Sequence, residues 1–158
     1  MLEGKLKWTH NIRITVFDLD GNIIQQDEIP NTLTTLALNL WQSMLGGTLG
    51  AVDDGEIFYM DVGNDATPPT AAQTTLVNAL DRQAITSSSL PADGQFKTVF
   101  YVAPGDFNYQ WEELGFFAGS TCTAFVDSGT MIARVLYSHL KNAAHSVQIE
   151  RLDKIEEI

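Results

Sequence analysis

Apolar and polar residues alternate at the start of the chain. Ile12, Ile14 and Val16 are interleaved with Asn11, Arg13 and Thr15, the period of a half-buried strand. Asp20-Gly21-Asn22 is a tight-turn sequence, Ile23 to Ile29 reads as the returning strand of a hairpin, and Pro30 stops the ladder. The period then changes. Leu33, Leu36, Ala37, Leu40, Trp41 and Met44 recur at spacings of three and four, which predicts one amphipathic helix near residues 32–45, capped by Asn31 or Thr32 and ended by Gly46-Gly47. The polar face of that helix carries no basic residues, so its stripe is expected to pack on a sheet rather than a membrane. Beyond it the strand rhythm returns at 57–63, 81–89, 95–103, 107–117, 121–126, 129–140 and 147–152. Pro68-Pro69 stiffens a loop, and a short helical turn is expected within 70–80. Short strands at close intervals with one helix predict a mainly β fold, an antiparallel β-sandwich or jelly roll.

The 158 residues, 44% of them apolar, suit a single β-rich domain over 1–158 with a real core. Residues 1–8 and 152–158 extend past the strand pattern and are expected to be extended terminal arms. The net charge of −11 repels phosphate backbones and argues against a nucleic-acid partner; solubility is its simplest use. One cysteine, Cys122, excludes an internal disulfide. Met1 to Lys5 lacks the apolar run of a signal peptide, and apolar stretches fall far short of the roughly 20 residues that cross a bilayer. Synthesis in a cytoplasm and no membrane partner are the expectation.

The most informative stretch runs from Glu113 to Tyr137. Two apolar runs joined by turn residues each hold one charge, Glu113 and Arg134. A charge in an apolar strand needs a partner or water, so Glu113 is expected to be partly buried and paired with Arg134 or Arg82, a structural charge cluster. Catalytic chemistry has weaker footing. Val16-Phe17-Asp18-Leu19-Asp20-Gly21-Asn22 resembles the first motif of haloacid-dehalogenase-type phosphatases, in which Asp18 would be the nucleophile and Asp20 the general acid. The match ends in Asn22 rather than Thr, and its strand alternates where a central parallel strand is uniformly apolar. The same residues fail as a calcium loop, because Ile23 and Ile29 stand where Gly and Glu are needed. His10, His139 and His145 are scattered, and no Gly-x-Ser-x-Gly or Gly-Lys phosphate loop occurs. Trp111 and Phe116-Phe117 read as core or interface rather than a sugar platform. No catalytic residue, metal ligand or cofactor is expected.

In order along the chain stand Asp18 to Asn22, Asn31, Gly46-Gly47, Val62-Gly63, Thr67-Pro68-Pro69, Thr75-Leu76, Arg82, Glu113-Leu114-Gly115-Phe116-Phe117 and Gly129-Thr130-Met131-Ile132-Ala133-Arg134. This series resembles a family of small virion proteins of tailed bacteriophages, departing from it at the charged tail Asp153 to Ile158. The resemblance implies a structural virion protein made in the bacterial cytoplasm. Its first expectation is a capsid decoration (cement) protein on the virion surface, bound to the major capsid protein. A homo-oligomer is expected, and a trimer suits a threefold position of the head. The alternative is a tail or tail-fibre component involved in adsorption.

Overall fold

The computed structural model describes residues 6–46 and 56–157. Among these, ten strands form two five-stranded sheets in which every pair is antiparallel, and a single α-helix closes one side: a β-sandwich. The first sheet has the order β2-β1-β10-β7-β6, from Ile23–Ile29, Leu6–Phe17, Ser146–Glu157, Gln95–Val102 and Ser87–Ser89. The second has the order β3-β9-β8-β4-β5, from Thr32–Leu33, Thr130–Leu140, Gln110–Ala118, Ile57–Gly63 and Ala79–Ala84. Ile12, Ile14 and Val16 of β1, with Phe100 of β7 and Ile149 of β10, pack against Met60, Leu114, Phe116 and Val135 of the other sheet. The Phe100 and Phe116 rings meet across the core at 5.8 Å.

The helix α1 spans Thr35–Gly46 and starts later than its stripe suggested. Thr34, not Asn31 or Thr32, is its cap. The Thr34 hydroxyl accepts the Ala37 amide at 3.1 Å and donates to the Met131 carbonyl at 2.5 Å, which ties the helix to β9. Thr32 and Leu33 are drawn into a ladder with Arg134 and Ala133 instead. Gly47 lies outside the described residues.

Four other expectations are corrected. The run 81–89 is two strands in opposite sheets: the Ile85 amide bonds to Phe58 in the second sheet and the Thr86 amide to Val99 in the first. Alternation marks a strand but not the sheet it joins. The segment 121–126 is a loop, folded back by left-handed backbone at Gly119, Asp127 and Gly129. No helical turn forms within 70–80; that segment is a loop running into β5. The described ends are not arms either. Leu6 pairs with Glu157 and Trp8 with Ile155, so 6–8 and 152–157 complete the long β1–β10 ladder, while 1–5 and 158 lie outside the described residues.

Candidate functional site

A second, smaller core lies outside the sandwich. Phe117 and Met131 point away from the main core and are covered by Leu76, with Tyr59, Ala79 and Cys122 around them. Strand pairing then sets a row of residues across this outer face. Arg82 stands opposite Asp61, Asp61 opposite Gly115, and Gly115 opposite Arg134. Side chains two apart share a face, so Glu113 lies diagonal to Arg134. Gly115 leaves the gap into which Leu76 fits: a Cβ there would come within 2.8 Å of the Leu76 side chain. Two loops, 64–78 and 119–129, cover the row.

Glu113 and Arg134 are both buried, and Arg134 Nε donates to Glu113 Oε2 at 2.7 Å. Each partner also holds the 64–78 loop. Arg134 donates to the carbonyls of Thr67 at 2.6 Å and Asp65 at 3.3 Å, and Glu113 accepts the amides of Asn78 at 2.7 Å and Val77 at 3.1 Å. One pair therefore grips both ends of the loop. Gly63 makes room for it, since a Cβ at that position would collide with the Asn78 carbonyl and the Glu113 carboxylate. Gly63→Ala is expected to cost about 1–3 kcal/mol through overpacking, read as a lower denaturation midpoint.

Arg82 is not part of that pair. It forms a second one with Asp61, a forked contact through Nε and Nη2, the latter at 2.9 Å. The guanidinium lies between the Tyr59 and Phe117 rings, 5.0 and 4.6 Å from their centres. Its remaining donors hold the 119–129 loop, at Thr123 O (2.8 Å), Ser128 Oγ (2.6 Å) and Ser128 O (3.0 Å). Asp61 adds a grip on the Asp127 amide at 2.6 Å. Burial pushes the Asp61 carboxyl above the usual range, against the pull of Arg82 and that amide. The two loops meet where Asp127 Oδ1 accepts the Leu76 amide at 3.2 Å. Arg82, Glu113 and Arg134 thus share one face but form two clamps, and Asp61 is the member the sequence reading omitted. Its signal was the one that marked Glu113: an acid inside an apolar strand.

Three further buried charges lie elsewhere. Lys141 Nζ sits among five oxygens, those of Ala103, Pro104, Asp106 and Asn142 and Asn108 Oδ1, at 3.0–3.3 Å. Arg151 and Asp153 form a doubly bonded pair at 2.7 Å, and Trp8 donates to the same carboxylate at 2.9 Å. Beside Asp153 a cavity of about 240 Å³ is lined mostly by apolar side chains, including Trp8, Leu40, Trp41 and Phe96.

The acidic motif at the first hairpin is a turn. Asp18 accepts the amides of Asp20 at 2.9 Å and Asn22 at 2.8 Å and the Asn22 side chain at 3.0 Å, which holds its carboxyl below the usual range. It joins antiparallel β1 and β2, whereas the phosphatase likeness requires the end of a central parallel strand. Among the described residues no group of three or more His, Cys, Asp or Glu side chains is placed to hold a metal, and no helix is long and apolar enough to cross a membrane.

Burial lowers the His10 and His139 pKa values, and His145 and Lys141 add to the effect at His139. The neutral imidazoles are favoured by folding. Protons therefore bind the unfolded chain first, and the stability these groups add is full above about pH 6.5 and falls as pH drops below it. The denaturation midpoint is expected to decline as pH falls from about 6.5 to 5.5, and His10→Asn with His139→Gln should flatten that decline.

No protein-family model, curated protein or solved structure matches this chain.

Proposed function

We propose that this chain is a structural, non-catalytic component of a tailed-bacteriophage virion, a capsid decoration protein that binds the outside of the head and stabilises it. One observation carries the reading. The ordered segments on which the resemblance to small virion proteins rests are far apart in sequence, yet those from Gly63 onward meet in a single assembly. Arg82 and the Glu113–Arg134 pair clamp the covering loops, Gly63 and Gly115 make room, and Leu76 fills the gap. These residues are occupied in holding two surface loops in fixed shape, a use that suits a protein acting through binding. A ligand that prefers the assembled head stabilises it by mass action, with no chemistry required. The protein is proposed to act as a homo-oligomer, a trimer at threefold positions of the head, in contact with the major capsid protein.

Immunogold microscopy of virions from the encoding phage tests the location. Label over the head surface is the expected result. Label confined to the tail would replace this reading with the tail or tail-fibre alternative, and unlabelled virions would end both. Sedimentation equilibrium of the purified protein should give three times the 17.4 kDa chain mass.

A further inference from the structure

The 119–129 loop is unusual in what it exposes and in how firmly it is held. Phe125 at its tip is 81% exposed, and Val126 beside it is exposed too. A bare aromatic on a loose loop is costly to order on contact; this loop is already ordered. Arg82 holds the Thr123 and Ser128 carbonyls, Asp61 holds the Asp127 amide, and Ser128 Oγ donates to the Phe125 carbonyl at 2.7 Å. The Asp127–Leu76 bond sets Val77, also exposed, one residue from the junction with the second loop. Rigid aromatic anchors of this kind carry a large share of the binding energy at protein interfaces, because little entropy is lost when they dock.

Charge indicates the partner. The second sheet and its two loops hold two basic residues among those described, Arg82 and Arg134, whose side chains are 2% and 1% exposed and spent on Asp61 and Glu113. Among the described residues the cations that reach water, Lys7, Arg13, Lys97 and Lys154, belong to β1, β7 and β10 of the other sheet. Asp65 and Asp127 remain partly in water on the loop side. This face therefore presents acid and apolar surface without exposed lysine or arginine, the complement of a basic surface.

We infer that the Phe125 loop is a preformed docking knob that seats in an apolar socket on a basic protein surface. The partner's chemistry follows from this face alone; placing that partner on the virion rests on the function proposed above. The test is co-sedimentation of purified protein with undecorated heads of the encoding phage, comparing the parent with Phe125→Asp, Phe125→Ala and, on the opposite sheet, Ile24→Asp. Because Phe125 and Ile24 are both exposed, all three variants should melt like the parent. The inference expects Phe125→Asp to lose at least tenfold in bound protein, Phe125→Ala to lose several-fold, and Ile24→Asp to bind as the parent does. It also expects parental binding to weaken steeply as salt is raised. Phe125→Asp binding within twofold of the parent would overturn the knob and leave the virion reading standing. Loss confined to Ile24→Asp would overturn it by moving the contact to the first hairpin, and salt-independent binding would overturn the basic partner. A parent that binds no heads overturns this inference together with the function on which it rests.

Discussion

Glu113→Ala is expected to destabilise the protein by about 3–5 kcal/mol, the usual cost of removing one partner of a buried ion pair. The reason is what stays behind. Arg134 would remain as an unmatched guanidinium in a fully buried position, and the amides of Val77 and Asn78 would lose their acceptor. The damage should be local before it is global: exchange of the Val77 and Asn78 amides should accelerate first, because that end of the 64–78 loop is held by the lost carboxylate. Glu113→Gln keeps the shape and one acceptor, so its cost should be smaller but still measurable. Glu28→Ala provides the comparison. Its pair with Arg13 lies in water at 3.0 Å, and its loss should leave the denaturation midpoint close to that of the parent. A Glu113→Ala variant with the denaturation midpoint of the parent would contradict the clamp.

The second large effect is expected at Lys141. The residue is 1% exposed, and its ammonium donates into the carbonyls of the loop after β7 as well as to Asn108 and Asn142. Lys141→Met preserves the length of the side chain and removes the donors. Stranded buried acceptors cost roughly 1–3 kcal/mol each before water relieves them, so a net loss of about 3 kcal/mol is expected in a denaturant titration. Lys141→Arg should recover part of it, since a guanidinium still donates but does not fit a cage shaped for a compact ammonium. Equal stability of the methionine variant would show that the cage contributes little.

The β-sandwich was legible where side-chain period alone decides the outcome. Ile12, Ile14 and Val16 all face the core, and the three-four spacing around Ala37 and Leu40 is a buried helical stripe. What could not be read were features set by tertiary partners. The change of sheet between Ile85 and Thr86 depends on which backbone lies alongside, not on local composition. Thr121 to Val126 has strand-forming residues, but Arg82 takes the carbonyls of Thr123 and Ser128 and left-handed glycines bend the chain. The last residues of β10 read as a charged tail because Asp153, Lys154, Glu156 and Glu157 crowd the end of the chain, yet Asp153 belongs with Arg151 of the apolar run before it. They face inward as a pair instead, and residues two apart on one strand share a side. For the charge cluster, the embedded positions of Glu113 and Arg134 were informative. Asp61 carries the same signal within Ile57–Gly63, but its pairing with Arg82 is set by the β4–β5 ladder and not by local sequence.

The most direct test of the proposed role is the heat resistance of undecorated heads with and without the purified protein, followed by release of packaged DNA. Saturating protein is expected to raise the rupture temperature, and Phe125→Asp at the same concentration is expected to leave it near that of bare heads. An unchanged rupture temperature with the parent protein, at concentrations where it remains folded and soluble, would contradict the assignment as a decoration protein.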